Sequence, residues 1–247
     1  MKVFALFLLC LIAAAQSRST GSKVGKSTLA EAGQNPSLVH LRIAIGSTGL
    51  LQTCAGSLIN SRWILTTASC LNNVRFIWIR YGALEVISPE LVTESSTVRI
   101  NPNYNAQTGE NNLALISINR NVESSDNIAP VSLADADGEL PEAANFCAYG
   151  QEGEAPGERL SCINVDLSVG EDGSIVADSE DGEASRFDIG APLIVDGVQY
   201  GILVSSEGDG AGTFLNLASY RDWIATETGG LSFHEQDEGL AVKFVDN

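Results

Sequence analysis

Histidine is nearly absent from this 247-residue chain, Cys-x-x-Cys pairs are wholly absent, and no apolar run approaches the roughly 20 residues that a bilayer core demands. Each absence excludes something. The two histidines, His40 and His234, sit at no ligand spacing to any cysteine, so no metal is expected. The apolar run Val3–Ile12 is too short to span a bilayer. With Lys2 before it and the small residues Ala13–Ala15 after it, residues 1–15 read as a cleaved secretory signal peptide rather than an anchor. Basic residues are scarce too, 14 Lys and Arg against 31 Asp and Glu, and the shortage is uneven. Residues 135–247 hold 24 acidic against 4 basic side chains, whereas residues 1–134 hold 7 against 10. Such a surface repels phosphate backbones and anionic membranes, so no nucleic acid and no membrane partner is expected. Long-range steering would favour a basic partner; the plainer reading of the charge is solubility alone.

What is present points to a secreted all-β protein. Without the signal, roughly 230 residues of apolar-rich composition remain, enough for one large domain or two small barrels. Cys10 leaves with the signal, and Cys54, Cys70, Cys147 and Cys162 form an even set for an oxidising compartment, so two disulfides are expected. Short runs rich in Val, Ile and Leu recur at Leu38–Ile45, Trp63–Thr67, Arg75–Tyr81, Leu113–Ile118, Cys162–Val169, Ala191–Val195 and Gln199–Val204. Gly, Asn, Ser or Pro bound each of them, and helical periodicity is rare. The exception is Ser219–Glu227, which sets Tyr220, Trp223 and Ile224 on one face and stops at Gly229, as a short amphipathic helix would.

Taken in order, the segments resemble the chymotrypsin-like serine protease family over nearly the whole mature chain. Ala32-Gly33-Gln34-Asn35-Pro36 followed by Leu41-Arg42 resembles that family's first strand, Cys54-Ala55-Gly56-Ser57-Leu58-Ile59 its CGGSLI, and Trp63-Ile64-Leu65-Thr66-Thr67-Ala68-Ser69-Cys70 its WVLTAAHC. Asn101–Asn105 and Asn112–Ile116 resemble HPxYN and NDIALI, Pro130–Leu133 the turn into a second barrel, and Ser219–Ile224 the closing helix. The resemblance implies two Greek-key six-stranded β-barrels with a cleft between them and a short C-terminal helix. It places the first barrel at about 24–128, the second at about 129–218 and the helix at about 219–228. It also implies a Cys54–Cys70 disulfide, and it puts Cys147 and Cys162 on two segments paired as a hairpin, where a cross-strand bridge is expected.

The family's cleft carries a nucleophilic serine, a histidine that takes its proton and an aspartate that fixes the histidine's tautomer. The matching positions here are Ser69 for the histidine, Asn112 for the aspartate and, within Phe187-Asp188-Ile189-Gly190-Ala191-Pro192 against GDSGGP, Ile189 for the serine. Asn for Asp alone, in an otherwise intact triad of this kind, lowers turnover about 10⁴-fold and would still leave an enzyme. Ser69 has no basic nitrogen, however, and Ile189 has no heteroatom to attack a carbonyl. The expectation is a serine endopeptidase homologue that lacks the catalytic triad. Phe187 stands where the family's glycine shapes the oxyanion hole. The span from Asn112 to Ile189, 77 residues, is short, and the acidic stretch Glu171–Ser185 lacks the cysteine that would brace a specificity-pocket wall.

By the same resemblance, Asp188 occupies the position that in the family receives a new N-terminal ammonium after zymogen cleavage, and Lys23-Val24 lies where that cleavage would fall, which would make residues 16–23 a propeptide and 24–229 the domain. The competing reading makes Asp188 a turn residue accepting backbone N–H bonds. Three functions are open to such a chain: a secreted non-catalytic homologue binding an extracellular protein as cofactor, decoy or regulator; an acidic storage, luminal or matrix protein; or an endopeptidase with displaced catalytic residues. No cofactor is implied. The acidic tail, 230–247, runs past the family's usual end with Phe233, Leu240, Val242 and Phe244, and either docks or frays.

Overall fold

The computed structural model describes residues 27–230, apart from 48, 137 and 208–210. Within these residues seventeen strands run in chain order: β1 Thr28–Leu29, β2 Leu38–Ile45, β3 Leu50–Asn60, β4 Trp63–Thr66, β5 Val74–Tyr81, β6 Leu91–Ser95, β7 Thr97–Ile100, β8 Ala114–Ser117, β9 Ser132–Leu133, β10 Ala143–Ala148, β11 Gln151–Glu152, β12 Ala155–Pro156, β13 Ser161–Val169, β14 Ile175–Asp178, β15 Pro192–Val195, β16 Val198–Ser205 and β17 Gly212–Asn216. A 3₁₀ turn, Leu217–Tyr220, leads into the α-helix α1, Arg221–Thr228.

Inward apolar residues at every second position of β2 and β5 anchor the first sheet, ordered β6-β5-β2-β3-β4-β8-β7. Val39, Leu41 and Ile43 of β2 and Ile77, Ile79 and Tyr81 of β5 point into one core, where each is fully buried. The sheet's two ends, β6 and β7, are consecutive in the chain and separated only by Ser96. They are one bent strand, so seven named strands close a six-stranded barrel. Ser95 holds the bend: its Oγ donates to the Ser117 carbonyl at 2.6 Å and accepts from the Thr97 N–H at 3.0 Å.

The second sheet runs β1-β13-β14-β17-β16-β15, with β10 on β13 and β9 on β16, and β15 lies against β10. Its core is Phe146, Val165, Ile175, Ala177, Leu193, Leu203 and Phe214. Thr28 pairs with Cys162, so the barrel boundary expected from sequence needs correcting. The described chain begins in the second sheet and only then crosses to build the first. A third cluster sits where the barrels meet α1: Leu113, Leu115, Val131, Leu133 and Ile202 pack with Ile224, Tyr220 and Trp223. The helix stops at Gly229, whose φ of 78° closes the αL cap that its lack of a side chain permits.

Among the described residues the disulfides are Cys54–Cys70, with a Cα separation of 6.3 Å, and Cys147–Cys162, at 4.0 Å. Cys147 and Cys162 are direct cross-strand neighbours on β10 and β13, as the hairpin reading requires.

Candidate functional site

Three loops bring Ser69, Asn112 and Ile189 to the junction of the barrels. Ser69 opens a 3₁₀ turn just after β4, Asn112 immediately precedes Leu113 and β8, and Ile189 lies three residues before β15. The Ser69 backbone N–H donates to Asn112 Oδ1 at 2.8 Å, and Asn112 Nδ2 donates to Ser69 Oγ at 3.1 Å. Ser69 Oγ in turn donates to Thr67 Oγ1 at 3.2 Å. This closed chain of neutral donors and acceptors holds no group that changes charge near neutral pH.

Ile189 is part of the hydrophobic framework. Its side chain packs against the cores of both barrels, and its carbonyl accepts from the Ala55 N–H at 2.9 Å. Gly190 then turns the chain with φ of 91°; a Cβ there would lie 2.2 Å from the Ala55 carbonyl oxygen and 2.6 Å from Thr66 Oγ1. That close approach is what confines the position to glycine.

Asp188 is 1 % exposed, and its carboxylate is met by its own chain. Oδ1 accepts from the Gly150 N–H at 2.8 Å, while Oδ2 accepts from the Ser185 N–H at 2.8 Å and the Ser185 hydroxyl at 2.7 Å. Burial pushes this carboxyl above the usual range, against the opposing pull of the Ser185, Gly150 and Tyr149 donors. Lys23 and Val24 lie outside the described residues.

Ser185 is not legible as a site residue in the sequence, although a serine three residues before an aspartate is a recognisable local hydrogen-bonding pattern. Its hydroxyl also accepts from the Phe187 N–H at 3.2 Å. Phe187 adopts no positive φ, and its N–H is turned to Ser185 rather than toward a bound substrate. The Arg186 guanidinium stacks over the Phe187 ring, 4.8 Å from its centre, and covers the segment from outside.

Immediately upstream, Ala184 and Ala211 are buried and bonded backbone to backbone, Ala184 N–H to Ala211 carbonyl at 2.8 Å; the Ala211 N–H donates to the Ala177 carbonyl at 2.7 Å. The segment where the resemblance places a specificity-pocket wall is thus zipped to β14 and the start of β17. A cavity of about 330 Å³ opens elsewhere, lined by Leu29, Gly82, Leu84, Asn127, Arg159 and Leu160.

Behind the junction His40 is 2 % exposed, with the Tyr149 ring edge-on at 5.2 Å and Arg80 Nη1 donating to its Nδ1 at 3.4 Å. Burial first, then the charges of Arg80 and Arg42, lower its pKa to about 3, so the imidazole is neutral. It serves the barrel interface. His234 lies outside the described residues, and among the described residues no cluster of His, Cys, Asp and Glu could hold a metal ion. No helix among them is long and apolar enough to cross a membrane.

The geometry has counterparts among known proteins. The trypsin family model matches residues 24–224. Brachyurin of Leptuca pugilator is 28 % identical over 200 residues, covering 71 % of this chain and 88 % of its own. Inactive serine protease scarface of Drosophila melanogaster is 26 % identical over 154 residues, 57 % of this chain and 24 % of that longer protein. The structure of HL collagenase superposes with a TM-score of 0.74 at 25 % identity, covering 83 % of this chain and 99 % of that one. By its matched length, its paired barrels and the convergence of the three loops, the chain belongs to the trypsin-like serine protease family.

Proposed function

We propose that this chain is a secreted, non-catalytic member of its family, which binds an extracellular protein as a cofactor, decoy or regulator in a protease pathway. The observation that carries the reading is Ile189, a side chain without a heteroatom, packed into both cores at the nucleophile position. The neutral Ser69–Asn112–Thr67 chain offers no base beside it, and the Phe187 N–H is engaged by Ser185. Acyl transfer needs an attacking atom, a proton acceptor and donors for the oxyanion; an apolar Ile189, a neutral chain around Ser69 and a Phe187 N–H bonded to Ser185 support the reading that this junction does not perform it. The acidic second half supports a basic partner, reached by electrostatic steering.

A fluorophosphonate probe and a mixed peptide-substrate assay, each run beside active trypsin, test the loss of catalysis. No labelling and no cleavage are expected; labelling of a serine that tracks with hydrolysis would overturn it. The regulatory role is tested by titrating the chain into a protease of the same native fluid. A saturable change in that protease's rate is expected, and a flat titration favours the storage or matrix reading instead.

A further inference from the structure

The outward positions of the first barrel carry a row of side chains that its closed core does not need. Strand register sets Leu51, Ala44 and Phe76 in one line, then Thr53, Arg42, Trp78 and Glu94 in the next, and Ala55, His40, Arg80 and Val92 beyond. Tyr149 of the second barrel covers the His40 end. The rest of the face is open: Leu51 at the far end is 48 % exposed, Val92 on the edge strand β6 is 42 % exposed, and Phe76 and Trp78 stack edge-on between them, half-buried, with ring centres 4.8 Å apart.

Arginines frame these apolar groups. Arg42 and Arg80 lie on adjacent strands of the face, Arg75 is beside Phe76, and Arg120 donates to the Val92 carbonyl at 3.4 Å. Among the described residues none of the four forms an ion pair, and Arg42 and Arg80 have only the neutral Thr53 and His40 as side-chain partners. In a chain of net charge −17, a face of unpaired arginines around exposed aromatics is complementary to an acidic, apolar strand.

A segment of that composition is encoded in the same chain. Residues 231–247 carry Glu235, Asp237, Glu238 and Asp246 against Lys243, and Leu240, Val242 and Phe244 alternate as one face of a strand would. The described chain reaches Gly230 beside the first barrel, because Glu227 of α1 pairs with Arg99 of β7 at 3.5 Å. Arg99 is four residues from Ser95, which pairs with Ile77 next to Phe76, about 13 Å along the bent strand. Seventeen residues extend up to about 55 Å. We propose that the open Leu51–Phe76–Trp78–Val92 face is a docking surface whose occupant is this chain's own segment 231–247, with its carboxylates on Arg42 and Arg80.

The test uses the full chain with Phe76→benzoylphenylalanine, irradiated in dilute solution and mapped by mass spectrometry. Crosslinks within 231–247 of the same molecule are expected, and their yield should fall about tenfold when Leu240, Val242 and Phe244 are all changed to Ser. Hydroxyl-radical footprinting reads the same contact without the probe: Trp78 oxidation should rise severalfold in the triple-serine variant and in R42E/R80E. Crosslinks that double the mass would assign the face to a second copy. Those, crosslinks only outside the tail, or Trp78 oxidation indifferent to the tail substitutions would each overturn the proposal.

Discussion

Ser185 and His40 are buried polar side chains whose roles are read from their partners. The Ser185 hydroxyl supplies one of the donors to a buried carboxylate and accepts the Phe187 N–H. Ser185→Ala leaves both short of a partner and should cost about 1–3 kcal/mol, read as a lower urea midpoint at unchanged slope. His40 gives a pH dependence whose sign follows from its depressed pKa. Between about 3, its folded value, and 6.5, its ordinary one, the unfolded chain holds a proton on this imidazole that the folded chain excludes. The stability it contributes is complete above pH 6.5 and is lost as pH falls toward 3. Arg80, Arg42 and Tyr149 are the groups that face it. His40→Phe should therefore flatten the loss of urea stability between about pH 7 and pH 4 relative to the parent chain. A parallel pair of curves would show that the carboxylates alone set the slope.

The segment 184–191 works as an element, so restoring its chemistry by single letters should fail. Ser69→His, Asn112→Asp and Ile189→Ser together are expected to give no acyl-enzyme burst with an activated ester, because the Phe187 N–H still faces Ser185. Adding Phe187→Gly should raise ester turnover about 10²-fold, the usual worth of one oxyanion donor. Gly190→Ala is expected to lower the thermal midpoint sharply, since its methyl would meet the Ala55 carbonyl.

Legibility in the sequence follows the same division between pattern and contact. The run read as Leu38–Ile45 is β2 to the residue, and those at Arg75, Cys162 and Gln199 each begin one residue late, because β-branched alternation is a local signal. β14 hides in an acidic stretch, where only Ile175 and Ala177 turn inward, and β10 is diluted by alanines and asparagine. The two-residue β1 has no local signal at all; its place in the second sheet is fixed by Cys162 across from it. Ser69, Asn112 and Ile189 are found by motif. Their mutual bonds, and the Ser185 lock on Asp188, are products of loops meeting in space.

For the whole molecule, the saturated carboxylate of Asp188 means that order at the barrel junction does not wait for a new N-terminus. Cleavage after Lys23 is expected to move the thermal midpoint by less than about 2 °C, below roughly 1 kcal/mol for a domain of this size. A rise of many degrees, with slowed hydrogen exchange around Gly150, would show that an ammonium adds to the site. The place of Ile189 in both cores also bears on descent. A lineage in which this position became a packing residue cannot regain a nucleophile by one mutation without first losing about 2 kcal/mol of burial, and it gains no turnover in return until base and oxyanion donor reappear. Selection on stability alone would remove each such step, so on the proposed non-catalytic reading the change at Ile189 acts as a ratchet.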